Sequence, residues 1–275
     1  MTQVSDRRVY ITGGSSGIGL AAAERMASMG AHVALFSRDR VKLAGAEKSV
    51  KAVSISDTQK VFSLSMDVSD PDDVMEKCRF ALEKFGVPDI LITSAGVPMA
   101  GRFEDIGAED FNSVIQINLY GTRHVIAALL PEMKKKGAGH ILLVSSSAGF
   151  YGIYGYSAYG ASKFALVGLA ECLRGELLNH GIRVSVLCPP EVDTSMLEIE
   201  KKALPPPTRA LKNLAGTLPV NFVAKALVRG IVKNRFIIIP GFRAKIFYWF
   251  KRLMPTSVFW YLPDLVARIA ERQNE

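Results

Sequence analysis

The stretch RVYITGGSSGIGLAAAERMASMGAHVALFSR, Arg8 to Arg38, runs from a β-branched segment through a glycine-rich turn into a helix of small apolar residues, then into a second β-branched segment. That order is a βαβ unit, whose two strands lie parallel in one sheet. Gly13, Gly17 and Gly19 let the chain turn tightly. The turn, with Ser15, Ser16 and Ile18 between the glycines, then brings backbone N–H groups and a helix N-terminus against a pyrophosphate. A dinucleotide site is expected there. At the end of the second strand a carboxylate would hold the ribose hydroxyls of NAD and repel the extra phosphate of NADP. Ser37 stands at that position and Arg38 follows. A guanidinium can pair with a 2′-phosphate in a bidentate manner, so NADP(H) is the expected cofactor.

The alternation continues beyond this unit. Candidate strands lie at Val61–Leu64, Ile90–Thr93, His140–Ser145, Arg183–Cys188 and Phe236–Ile239. Helical patterns fall at Gly19–Met29, Pro71–Phe85, Phe111–Met133, Ser162–Asn179 and Phe222–Val232. Right-handed crossovers make this a Rossmann-type, doubly wound parallel sheet with helices on both faces. We expect one catalytic domain over residues 1–240 and an amphipathic helical extension over 241–275. The segment 194–219, which includes Pro205-Pro206-Pro207, breaks the pattern and is long for a βα connection. A substrate loop is the expectation there.

The chain of 275 residues, 49% hydrophobic and 22% charged, is long and apolar enough for a full core, which excludes intrinsic disorder as its main state. Cys78, Cys172 and Cys188 are too few and too scattered for a disulfide framework or a zinc cluster, and a reducing, cytoplasmic setting is expected. His32, His124, His140 and His180 show no metal-ligand spacing, so no metal is expected. The first motif begins at Thr12, which leaves no room for a signal peptide, and no apolar run is long enough to span a bilayer. The net charge of +8 is concentrated: from Lys201 to Pro263 there are twelve Lys and Arg and no acidic residue. A local anionic partner fits this distribution better than nucleic acid, for which no recognition motif is present.

The segment SSSAGFYGIYGYSAYGASK, Ser145 to Lys163, carries the chemistry. Tyr159 and Lys163 are four apart at the start of a helix, so they share one face. A cation beside a phenol stabilises the phenolate and draws the tyrosine pKa from about 10 toward neutrality, which makes Tyr159 a usable general acid or base. Ser146, at the end of a strand, is placed to donate a hydrogen bond to a substrate carbonyl.

Taken in order, TGGSSGIG, Asp67-Val68, SAG (Ser94–Gly96), Asn118 in INLYG, Ser146, YGASK (Tyr159–Lys163) and Pro189–Thr194 resemble the short-chain dehydrogenase/reductase superfamily over about residues 8 to 240. The resemblance implies that Ser146 orients a carbonyl, Tyr159 delivers a proton and Lys163 holds the nicotinamide ribose. It implies a proton relay at Asn118, an adenine contact at Asp67 and a carboxamide contact at Thr194. Val68, Ala95, Gly96, Pro189 and Val192 complete the implied cofactor wall. Two departures stand out. Thr93-Ser94 replaces the usual asparagine pair, and Pro189-Pro190 replaces the usual Pro-Gly. Within the superfamily, SAGFYGIYGYSAYGASKFALVGLAECLRGEL, CPPEVDTSM and RFEDI look like the 3-ketodihydrosphingosine reductases. That likeness implies reduction of a long-chain keto lipid with NADPH. Hydroxysteroid, retinol or 3-oxoacyl reduction is the alternative, and a nucleotide sensor without turnover would not be expected to keep the serine, tyrosine and lysine. The N-terminal anchor of the eukaryotic members is not seen here, so a different membrane topology is expected.

Two further expectations follow from position. Glu191, after the double proline, is a candidate partner for a substrate ammonium. Residues 242–261 hold 8 of the 24 aromatics and both tryptophans. On a helix from Phe242 to Met254, Phe242, Ile246, Trp249, Phe250 and Leu253 share one face with Lys245, Lys251 and Arg252 away from its centre. Pro255 and Pro263 are expected to interrupt this segment, and the pattern fits an anionic membrane surface, peripheral to the bilayer. A strip of small residues on the catalytic helix, Ala161, Ala165, Gly168 and Cys172, permits close helix approach, and with the resemblance it points to a homo-oligomer.

Overall fold

The computed structural model describes residues 3–197, 204–205, 207–209 and 216–272. Seven parallel strands form the central sheet: β1 (Arg8–Thr12), β2 (His32–Ser37), β3 (Val61–Ser65), β4 (Ile90–Thr93), β5 (Gly139–Val144), β6 (Ile182–Leu187) and β9 (Ile237–Ile238). Their spatial order is β3-β2-β1-β4-β5-β6-β9. The order reverses between β1 and β4, where Thr12 pairs with Thr93. In an open parallel sheet the crevice at such a reversal, at the C-terminal strand ends, is where ligands bind.

Alternation along each strand feeds two apolar layers. Val9 and Ile11 of β1 point into one layer, against α1 (Gly17–Ala27), α2 (Arg40–Ala52) and α7 (Val220–Val232). Tyr10 points into the other, against α3 (Pro71–Phe85), α5 (Gly121–Lys136) and α6 (Ser157–Glu176). Its buried phenol donates to the Gly86 carbonyl (2.7 Å), with the Ala81 carbonyl at 2.9 Å, so burial of the hydroxyl leaves nothing unsatisfied. Asp39 caps α2 through the N–H groups of Val41 and Lys42, and Asp70 caps α3, where Pro71 occupies the first turn. Cys78 and Cys188 are buried free thiols, each pushed up to about 12 by burial, whereas Cys172 is exposed. His140 pairs with the Ser185 hydroxyl (2.7 Å), and burial holds its imidazole down to about 4.

Several boundaries differ from expectation. The pattern read as one helix from Phe111 to Met133 is α4 (Ala108–Ile115), a single π-helical turn over Gln116–Tyr120, and α5. Helix α6 starts at Ser157, five residues before the apolar periodicity suggests; its first turn buries the small residues Ala158 and Gly160 and sets Tyr159 on the cleft wall. A short parallel pair, β7 (Glu191–Asp193) with β8 (Thr217–Pro219), pins the two ends of the segment read as a substrate loop. Of that loop, 198–203, 206 and 210–215 lie outside the described residues, and so do Lys201, Lys202 and Lys212 of the acid-free stretch.

The extension is a helical hairpin, α8 (Phe242–Leu253) and α9 (Thr256–Arg272). Pro255 separates the helices, but Pro263 lies within α9, where it costs one backbone hydrogen bond without ending the helix. Among the described residues no helix is long and apolar enough to cross a membrane.

Candidate active site

The glycine turn is folded back upon itself. Gly13 and Gly17 have φ of +66° and +54°, a region that side chains with a Cβ rarely adopt. A Cβ on Gly19 would lie 2.4 Å from the Gly13 carbonyl oxygen, and one on Gly13 would lie 2.7 Å from the Ala95 nitrogen. The turn, helix α1 and the Ser94–Gly96 segment thus meet backbone to backbone. Thr12 locks this meeting: its carbonyl accepts from Ser94 N (3.1 Å) and its hydroxyl from Ala95 N (3.3 Å). The N-cap of α1, Ser16, makes no side-chain cap, and the first turn carries no acidic residue. Its N–H groups are left for an anion, so the turn fits a dinucleotide pyrophosphate.

At the adenosine end Ser15 Oγ donates to Ser37 Oγ (2.8 Å), and Arg38 reaches toward Asp67 (3.7 Å). Burial would raise the Asp67 carboxyl, but two hydrogen bonds from Ser69 and the Arg38 cation outweigh it, leaving the pKa below the ordinary value. The Arg38 side chain is 57% exposed and its pairing is long, so it is free to turn onto a phosphate at small cost.

At the other end Ser146 follows β5 and caps a 3₁₀ turn, its hydroxyl accepting from Ala148 N (3.2 Å). Lys163 is 5% exposed; its Nζ donates to the Val144 carbonyl (3.1 Å) and lies 5.5 Å from the Tyr159 ring centroid. Burial pulls this ammonium down to about 8. Asn118 is fully buried in the π turn: its Oδ1 accepts from Val97 N (2.8 Å), and its Nδ2 donates to the Val97 carbonyl (3.1 Å) and to Ser162 Oγ (3.0 Å). Ser162 in turn donates to the Tyr159 carbonyl (2.7 Å).

Gly13, Ser15, Ser16, Gly17, Ile18, Arg38, Val68, Ala95, Gly96, Ser146, Tyr159, Lys163, Pro189, Glu191, Val192 and Thr194 all line one continuous cleft. Three of the residues named from sequence stand off its wall. Gly19 is behind the turn, Asp67 lies beside Arg38 and accepts from Ser69, and Asn118 is one layer back, where it braces Val97 and Ser162 of α6. Glu191 is a strand residue whose carboxylate accepts from the Thr217 hydroxyl (2.5 Å).

Thr93 replaces the expected asparagine with only a long contact to the Leu142 carbonyl (3.5 Å), and the brace falls to Thr12. Pro189 keeps its carbonyl for Ser147 N (2.7 Å), which ties the double proline to the serine loop. Sequence reasoning did not place Thr12, Ser162, Tyr151, Tyr156, Phe247 or Phe259 at the site, Phe247 and Phe259 being counted with the aromatics of a membrane-facing segment; the last four line the cleft.

The short chain dehydrogenase family model matches residues 7–204. The chain is 37% identical over 235 residues to the 3-dehydrosphinganine reductase of Danio rerio, covering 85% of this chain and 71% of that one. It is 42% identical over 239 residues to a 3-dehydrosphinganine reductase of Arabidopsis thaliana, covering 86% and 70%. Among solved structures it is similar to levodione reductase (TM-score 0.80, 27% identity, 88% of this chain and 98% of that one). It is also similar to a short chain dehydrogenase/reductase of Burkholderia phymatum in complex with NAD (TM-score 0.77, 30% identity, 87% and 90%). A parallel sheet reversing at a glycine turn, a tyrosine one helical turn from a buried lysine, and these likenesses converge: the chain belongs to the short chain dehydrogenase family and is a nicotinamide-dependent oxidoreductase.

Proposed function

We propose that this protein reduces a long-chain 3-keto sphingoid lipid with NADPH, taking 3-ketodihydrosphingosine to dihydrosphingosine. The observation that carries the reading is the cleft shared by Ser146, Tyr159 and Lys163, in a chain similar along 85% of its length to a protein named 3-dehydrosphinganine reductase. Ser146 holds the ketone oxygen by a hydrogen bond, and Tyr159 gives its phenolic proton to that oxygen. When bound, the reduced nicotinamide supplies the hydride that the carbonyl carbon receives. Lys163 stabilises the phenolate left on Tyr159, and burial of the ammonium strengthens that attraction by excluding water. Asn118 acts by holding Val97 and Ser162, and thereby the first turns of α6, in place.

Three features support the finer assignments. Ser15, Ser37 and an exposed, weakly paired Arg38 offer two hydroxyls and a guanidinium to a 2′-phosphate, which favours NADPH over NADH. Glu191, on the cleft wall, supplies a carboxylate for the substrate ammonium. The outer face of the α8–α9 hairpin supports docking on an anionic membrane surface: Phe242, Trp249 and Leu253 are 78%, 57% and 71% exposed, with exposed Arg243, Lys245, Arg252 and Arg268 beside them.

The test is turnover of a ketone panel with NADPH and with NADH. The expected result is a kcat/KM for 3-ketodihydrosphingosine with NADPH well above that for steroid, retinoid or 3-oxoacyl carbonyls. A steroid or 3-oxoacyl substrate that outpaces the sphingoid ketone, or a preference for NADH, overturns it.

A further inference from the structure

The eight aromatics of residues 242–261 do not form one patch. Phe242, Trp249, Phe250 and Tyr261 are exposed, whereas Phe247, Tyr248, Phe259 and Trp260 turn toward the body of the protein. Phe259 is only 3% exposed although Val258 beside it is open to solvent. Phe247 packs on Tyr151 (ring centroids 6.1 Å apart), and Tyr248 meets Phe150 edge to face (5.1 Å). Lys251, expected from sequence among the outward basic residues, is instead turned inward. Its Nζ donates to the Phe150 carbonyl and lies among the rings of Phe164 (5.2 Å), Trp260 (5.8 Å) and Phe259 (6.0 Å). Phe150 and Tyr151 belong to the segment joining Ser146 to Tyr159. The hairpin is therefore fastened to the loop between the two residues that handle the carbonyl oxygen.

We infer that the inner face of the α8–α9 hairpin, through Phe247, Phe259 and Pro263, is the wall that holds the substrate's hydrocarbon tail and sets the chain length the enzyme accepts, with Lys251 as the latch that keeps the wall in place. The inference rests on the proposed reduction of a long-chain ketone. Phe247, Phe259 and Pro263 line the same cleft as Ser146 and Tyr159. Phenyl and proline side chains facing a cleft offer contact area and no hydrogen bond, which is the chemistry of an alkyl chain. Lys251 touches neither the cofactor turn nor the carbonyl site, so its role is positioning.

The experiment measures kcat and KM for two homologous series below their micellar limits: linear 3-keto sphingoid bases and linear ketones without a head group. In the unaltered enzyme kcat/KM rises with chain length, by up to about fourfold per methylene, until the wall is filled. Phe259→Ala is expected to narrow the long-to-short ratio at least about tenfold. Phe247→Trp is expected to move the optimum to shorter chains, a gain that a merely damaged protein does not produce. Lys251→Met is expected to narrow the ratio through KM rather than kcat. An unchanged dependence on chain length, or an equal fractional loss at every length, overturns the inference. If the head-group-free ketones show the dependence while the sphingoid bases are not turned over, the assigned substrate fails and the tail wall stands. If neither series shows it, the tail wall fails.

Discussion

Lys163 gives up stability so that a charge can stand beside the Tyr159 phenol. In the unfolded chain its ammonium has the ordinary pKa of 10.5, and in the folded protein burial lowers it to about 8. Below pH 8 both states carry the proton and the folded state bears the full cost of a buried cation, about 3 kcal/mol at 1.36 kcal/mol per pH unit. Between pH 8 and 10.5 the unfolded chain binds more protons, so the free energy of unfolding rises with pH. Urea unfolding of the cofactor-free protein should therefore show Lys163→Met more stable than the unaltered chain at pH 7, with the gap closing toward pH 10. A gap independent of pH contradicts this account of the site. The lysine and tyrosine were legible in the sequence because four residues of helix bring them together. Ser162 was not, because its partner Asn118 is 44 residues away and only the fold joins them.

The glycine turn and helix α1 work as one piece, held by contacts too close for a side chain. A methyl group on Gly19 would meet the Gly13 carbonyl oxygen at 2.4 Å, and neither backbone can yield without opening the turn proposed to receive the pyrophosphate. Gly19→Ala should weaken NADPH, read by fluorescence titration, by about tenfold or more, while the far-ultraviolet circular dichroism stays that of the folded sheet. Affinity within twofold would contradict the packing described. The strands were readable to within a residue or two, since β-branched runs between glycine turns leave few alternatives in a parallel sheet. The π turn around Asn118 carries no such signal: helical periodicity runs through it, and a five-residue departure leaves the apolar stripe nearly unchanged. Strands β7 and β8 were missed for a different reason. Three residues each, paired across a gap of more than twenty, they have no local alternation to read.

On the α8–α9 hairpin, exposed basic residues and exposed apolar side chains lie together, and its inner residues Phe247, Phe259 and Pro263 line the cleft. The sequence pointed to the outward face of α8 but could not divide the aromatics, because Lys251 finds Phe150 at a distance of 101 residues. Trp260 packs inward against the cluster at Lys251, so the residues to alter for membrane binding are Trp249 and Leu253. The unaltered protein should sediment with vesicles containing anionic lipid more than with neutral ones, and Trp249→Ser with Leu253→Ser should release it. Equal recovery with both vesicle types, or no release, would assign the face to another partner. The proposed reduction turns on one proton, that of the Tyr159 phenol. Single-turnover oxidation of NADPH by 3-ketodihydrosphingosine, followed with the unaltered enzyme and with Tyr159→Phe, isolates it from product release. The prediction is a rate lowered by about a hundred- to ten-thousandfold in Tyr159→Phe with NADPH affinity within a few-fold, and a rate close to that of the unaltered enzyme with NADPH bound would contradict it.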